Sequence, residues 1–175
     1  MRIRTLRKVD TTRFGEIMVS LQELLTLPFG LIGFPDYKEF VLLDHEDESP
    51  FRWLQSLDDP AIAFVVMDPY VFKPDYDIDL SAQEKQSLEL TKVEDALALV
   101  ILTLPEDWRE TTANIKAPLI FNRRTRKGRQ IILNDPLLTT RFPIAAAFGW
   151  VEATNDTPDV DSTLINPNTN PTTTL

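Results

Sequence analysis

Short apolar segments separated by turn-forming runs constrain this chain more than any other feature. Phe40 to Leu43, Phe51 to Gln55 and Ile62 to Met67 are each too short to hold a helix on their own and rich in residues that suit a pleated surface. Between them lie Asp44 to Pro50 and Asp58 to Pro60. Asp and Ser side chains in such runs accept hydrogen bonds from nearby backbone, and proline presets the backbone angle of a turn. The spacing therefore predicts strand, turn, strand, turn, strand. Ala96 to Leu104 is apolar except for Thr103 and ends at Pro105. A run with no polar alternation predicts a strand buried on both faces.

The same reading extends along the chain. Up to Asp10 the sequence is basic and irregular, and Ile17 to Leu25 then predicts a strand. Phe29 to Pro35 predicts an apolar loop, because Gly30, Gly33 and Pro35 interrupt any regular element. Ser81 and Glu84 stand at capping-box spacing and predict a short helix over Ser81 to Leu90. Thr111 to Lys116, Leu119 to Asn122 and Arg129 to Leu133 predict three further strands, the last two joined by a basic turn ending at Gly128. Seven or eight short strands with one or two short helices predict a mainly β chain, a single small antiparallel barrel or sandwich-like domain.

With 175 residues and 43% hydrophobic content, the chain supports one core and not two. Residues 1–144 are expected to form it, and residues 145–175 to be a C-terminal extension. Ile144, Phe148 and Val151 fall at helical spacing, Glu152 onward is polar, and Asn166 to Leu175 is low in complexity and expected to be disordered.

Charge narrows the function. The net charge is −9, which opposes direct nucleic-acid or membrane binding. From Asp36 to Glu110 nineteen acidic residues face six basic ones, a balance of −13 that leaves +4 elsewhere. There is no cysteine, no apolar run follows the basic N-terminus, and no stretch approaches the roughly 20 apolar residues that cross a bilayer. A cytoplasmic location is expected.

Catalysis and metal binding find little support. His45, the single histidine, sits in an acidic turn with no second imidazole or thiol. Asp75, Asp77 and Asp79 resemble the start of a calcium loop, but Leu80 replaces the required glycine and Gln86 the bidentate carboxylate. Gly30 and Gly33 lack the following lysine of a phosphate loop, and Asp58 and Asp59 before Pro60 fit a β-turn. Arg123, Arg124, Arg126, Lys127 and Arg129 form the strongest basic cluster, either a solvated hairpin turn or a surface for an anionic partner. No catalytic residue, cofactor or metal is expected.

Several segments resemble the FliW family of flagellar assembly factors. They are Thr12-Arg13-Phe14-Gly15-Glu16-Ile17, Phe29-Gly30-Leu31-Ile32-Gly33-Phe34-Pro35, and Phe51-Arg52-Trp53-Leu54-Gln55-Ser56 running into Leu57-Asp58-Asp59-Pro60. Asn114-Ile115-Lys116-Ala117-Pro118 and Gln130-Ile131-Ile132-Leu133 follow in the family order, so the resemblance covers about residues 10 to 140. It implies a non-enzymatic regulator of flagellin supply that binds flagellin and the RNA-binding translational repressor carbon storage regulator A. Two other readings stay open at this level: an export chaperone for another secreted protein, and a carboxylate-based hydrolase or ligand-binding barrel.

A docking surface can be named from charge. Alternate Asp residues in an extended segment turn their carboxylates to one side, so Asp75, Asp77 and Asp79, with nearby Asp68, are expected to meet the basic repressor. Apolar surface elsewhere is expected to serve flagellin.

Overall fold

In the computed structural model, which describes residues 5–45 and 49–150, the three predicted hairpin strands are present. They are β4 (Glu39–Asp44), β5 (Arg52–Ser56) and β6 (Ala63–Met67), paired antiparallel in sequence order, with Leu42 opposite Leu54 and Leu54 opposite Phe64. The apolar run becomes β7 (Ala96–Thr103), which pairs with β6 and, through Ala96 to Leu99, with β9 (Leu119–Asn122). β10 (Gly128–Gln130) closes a hairpin on β9, and β3 (Leu25–Thr26) pairs with β4. The main sheet thus runs β10-β9-β7-β6-β5-β4-β3.

This sheet is buried on both faces. Leu54, Val66, Leu99 and Phe121 point into one cluster with Leu25, Leu27 and Phe40. Their neighbours Trp53, Val65, Val100 and Ile120 point into a second cluster, with Phe72, Tyr76, Leu88 and Ile144. Successive side chains go to opposite faces of a strand, so two cores require apolar residues at every position. This is why the β7 segment carries no alternation. A fully buried Leu or Phe contributes about 1.5–3 kcal/mol, and Phe40, Leu54, Leu99, Leu119 and Phe121 are of this kind.

Among the described residues the ends of the sheet meet at one parallel bridge, Thr26 to Lys127, where the Thr26 amide donates to the Arg126 carbonyl. Of the two architectures expected, the closed barrel is not formed and the arrangement is sandwich-like. A second, two-stranded sheet pairs β1 (Leu6–Thr11) with β2 (Gly15–Ser20), and its Val9 and Val19 pack on Val41 and Leu57.

Several expectations need correction. The stretch read as irregular up to Asp10 contains β1, whose pairing with β2 outweighs its basic composition. The strand expected over Ile17 to Leu25 breaks after Ser20, where the Glu23 amide donates to the Ser20 carbonyl and the Gln22 amide to Ser20 Oγ. In the stretch from Thr111 to Lys116 only β8 (Thr112–Ala113) is strand, because Asn114 Oδ1 accepts from the Ala117 amide and turns the chain before Pro118. β8 pairs with β7 and with β11 (Phe142–Pro143). The strand expected over Arg129 to Leu133 is β10, displaced toward Gly128.

The predicted helix is α1 (Ala82–Ser87), with the full capping box: Ser81 Oγ accepts from the Glu84 amide, and Glu84 Oε2 from the Ser81 amide at 2.7 Å. Such a cap contributes about 1 kcal/mol. The helix buries none of its own residues and is anchored by Leu88 just beyond it. The apolar stretch after Pro143 forms a 3-10 turn, Ala145–Phe148, ended by Gly149 at φ 69°. Val151 and the polar tail lie outside the described residues.

Candidate functional site

The acidic segment begins where β6 ends. Asp68 precedes a 3-10 turn, Pro69–Val71, and its carboxylate accepts from the Tyr70 amide at 2.8 Å, so this half-buried residue caps the turn. The chain then turns, with the Tyr76 amide donating to the Lys73 carbonyl at 3.0 Å, and continues to Leu80 without joining any strand. Tyr76 and Leu80 are buried and Ile78 half-buried, while Asp75, Asp77 and Asp79 are exposed between them. The Tyr76 hydroxyl donates to the Ile115 carbonyl at 2.6 Å and pins the segment to the core, and burial raises the Tyr76 phenol well above its usual range. The three carboxylates therefore stay exposed while their inward neighbours tie the segment to the core, with no sheet ladder.

Their charges are not equal. Asp75 pairs with Lys73 at 3.0 Å, and the Lys73 hydrogen bond, then its charge, holds the Asp75 carboxyl below the usual range. Tyr70 stands half-exposed beside the segment. Partial burial raises its phenol, and the carboxylates of Asp68 and Asp77 add to this, so these two acids and Tyr70 are neighbours. Asp77 and Asp79 are the exposed charges of the segment with no ion pair among the described residues.

The other sequence candidates resolve into structural roles. Asp58 accepts from the Lys38 and Glu39 amides at 2.6 and 2.9 Å, and Asp59 from the Ala61 amide at 2.9 Å. His45 directly follows β4 and is half-buried. Among the described residues no three His, Cys, Asp or Glu side chains are placed to hold a metal ion. In the basic turn, Lys127 pairs with Glu89 and the Arg129 guanidinium lies 5.1 Å from the Phe29 ring centre.

The quoted sequence motifs meet in space. The Arg13 guanidinium lies 4.3 Å over the Trp53 ring and Phe14 meets Trp53 edge-on at 5.6 Å, joining the first motif to the third. Gln130 Oε1 accepts from the Ile32 amide, and Gln130 Nε2 donates to the Ala117 carbonyl, joining the second, fourth and fifth. Sequence reasoning missed one feature, a cleft of about 400 Å³ beside the acidic segment, lined among others by Asp68, Tyr70, Ile78, Leu80, Lys85, Lys92 and Arg123. No single stretch of sequence signals it, since its walls come from four separate segments.

Among the described residues no helix is long and apolar enough to cross a membrane. A small sheet buried on both faces, with a charged outer segment, defines a β-rich, sandwich-like protein. Comparison with known proteins gives the family: the FliW protein family matches residues 8–144. The flagellar assembly factor FliW of Alkaliphilus metalliredigens is 37% identical over 137 residues, covering 78% of this chain and 85% of that protein. That of Bdellovibrio bacteriovorus is 41% identical over 136 residues, covering 78% of each. A crystal structure of the flagellar assembly factor FliW superposes with a TM-score of 0.74 at 35% identity, over 79% of this chain and 96% of that one. This chain belongs to the FliW family of flagellar assembly factors.

Proposed function

We propose that this chain couples flagellin supply to flagellum assembly by exchanging protein partners in the cytoplasm, without catalysis. It binds free flagellin. When flagellin has been secreted, it binds carbon storage regulator A and relieves that repressor's block on flagellin translation. The observation that carries this reading is membership of the FliW family over residues 8–144.

The exposed carboxylates of Asp75, Asp77 and Asp79 support it, because a compact negative face speeds encounter with a basic RNA-binding protein and selects its orientation. The overall charge of −9 supports antagonism through the repressor protein rather than through its RNA. Affinity capture on this chain from cells with and without flagellin tests the proposal. The repressor should be recovered mainly from cells lacking flagellin, and flagellin from cells that make it. Recovery of the same unrelated secreted protein from both would contradict it.

A further inference from the structure

The cleft beside the acidic segment has the opposite chemistry to the segment itself. Its floor is apolar, formed by Ala96 and Ala98 of β7 and Ile120 of β9, with Ile78 and Leu80 on one wall. Val93, 86% exposed, and Tyr70, 45% exposed, also line it. Apolar side chains left in water around a concave apolar floor mark a surface that a partner can cover.

Charge selects the partner. Three cations line the cleft, Lys85 of α1, Lys92 before the 3-10 turn Val93–Asp95, and Arg123 after β9. All three are exposed, and none forms an ion pair among the described residues. Arg123 is held in place by the bond from its Nε to the Ala96 carbonyl at 3.2 Å and from its amide to the Asp95 carbonyl at 2.7 Å. Of the carboxylates, Asp68 alone lines the cleft, and it is engaged as a cap. A chain of net charge −9 thus places three exposed cations and one carboxylate around an apolar depression.

We infer that this cleft is a docking site for an apolar protein segment carrying carboxylates, its apolar side chains seated on Ala96, Ala98 and Ile120 and its acids meeting Lys85, Lys92 and Arg123. The inference does not depend on which proteins the chain exchanges. It gives the molecule two adjoining faces of opposite sign, one for a basic partner and one for an acidic apolar segment.

The test uses a fluorescently labelled, acetylated peptide with two leucines flanked by glutamates, titrated with the full chain and followed by anisotropy. Saturable binding that weakens with added salt is expected. The double variant K85E/K92E should bind at least about tenfold more weakly, since both side chains meet the partner's carboxylates. Both positions are exposed and α1 buries none of its residues, so its melting temperature should match wild type; K85Q/K92Q provides a milder second variant with a smaller loss. Peptides with lysine for glutamate, or serine for leucine, should each lose binding by a similar factor. No saturable binding, equal binding by K85E/K92E, or equal binding of the serine peptide would overturn the inference.

Discussion

Gly128 faces Phe121 across the β9-β10 hairpin so closely that a methyl group at Gly128 would lie 2.1 Å from the aromatic ring. Phe121 is completely buried and belongs to the inner core cluster, so it has no free volume to retreat into. Gly128→Ala should therefore destabilise the chain by about 1–3 kcal/mol, measured by urea unfolding. A neutral effect would mean that Phe121 repacks freely.

The Gly30 and Gly33 pair separates backbone angle from steric closeness. Both have positive φ, 67° and 88°, but a Cβ at Gly30 would meet the Phe34 carbonyl oxygen at 2.5 Å whereas one at Gly33 meets nothing within 4 Å. Gly33→Ala should cost about 1–2 kcal/mol for the backbone angle alone. Gly30→Ala should cost clearly more, because the clash is with backbone that cannot step aside. Equal losses in parallel denaturation curves would contradict this.

Trp150 lies beyond the matched family region yet stacks on Phe148 at 4.6 Å and Phe51 at 5.9 Å, and meets Trp108 edge-on at 5.3 Å. Trp150→Ala should lower stability by about 1–3 kcal/mol. Removing residues 152–175, whose composition offers little apolar area, should change it by less than about 1 kcal/mol. Thermal melts of the two variants side by side check the contrast.

β4 to β7, β9 and the capped helix were legible in the sequence because local signals and tertiary environment agree there. Phe40 to Leu43 is apolar, flanked by turn chemistry, and buried or half-buried. Ser81 and Glu84 satisfy each other without needing the rest of the fold. β1 was missed because its strand character comes from pairing with β2, which a basic composition does not announce. The exposure of Asp75, Asp77 and Asp79 was legible from their charge, while the inward seats of Tyr76 and Leu80 were not read. The capping role of Asp68 depends on Tyr70 and Pro69 forming a turn, and the cleft on four segments meeting, so neither could be read locally.

Asp75 also gives a pH signature. Its folded carboxyl is held below the ordinary range by Lys73, and a depressed acid contributes stability above its unfolded value near 3.9, losing it only as pH falls through the folded value. Carboxyl NMR should show Asp75 titrating below the ordinary aspartate range, and Lys73→Gln should return it toward that range. An unchanged titration in the variant would remove Lys73 as the cause.

The acidic face makes a kinetic prediction. Charges this exposed are screened within about 8–10 Å at ordinary salt, so D75N/D77N/D79N should slow association with carbon storage regulator A and flatten its salt dependence. Association with flagellin should change little. Biosensor rates at two salt concentrations decide between docking and mere solubility; unaltered repressor association by the folded variant would remove these residues from the docking surface.

The most direct measurement is competition on a size-exclusion column, with this chain mixed with carbon storage regulator A, with flagellin, and with both. Partner exchange predicts a complex in each binary mixture and, in the ternary mixture with flagellin in excess, a flagellin complex with the repressor eluting free. Coelution of all three, or failure of either partner to bind, would contradict it.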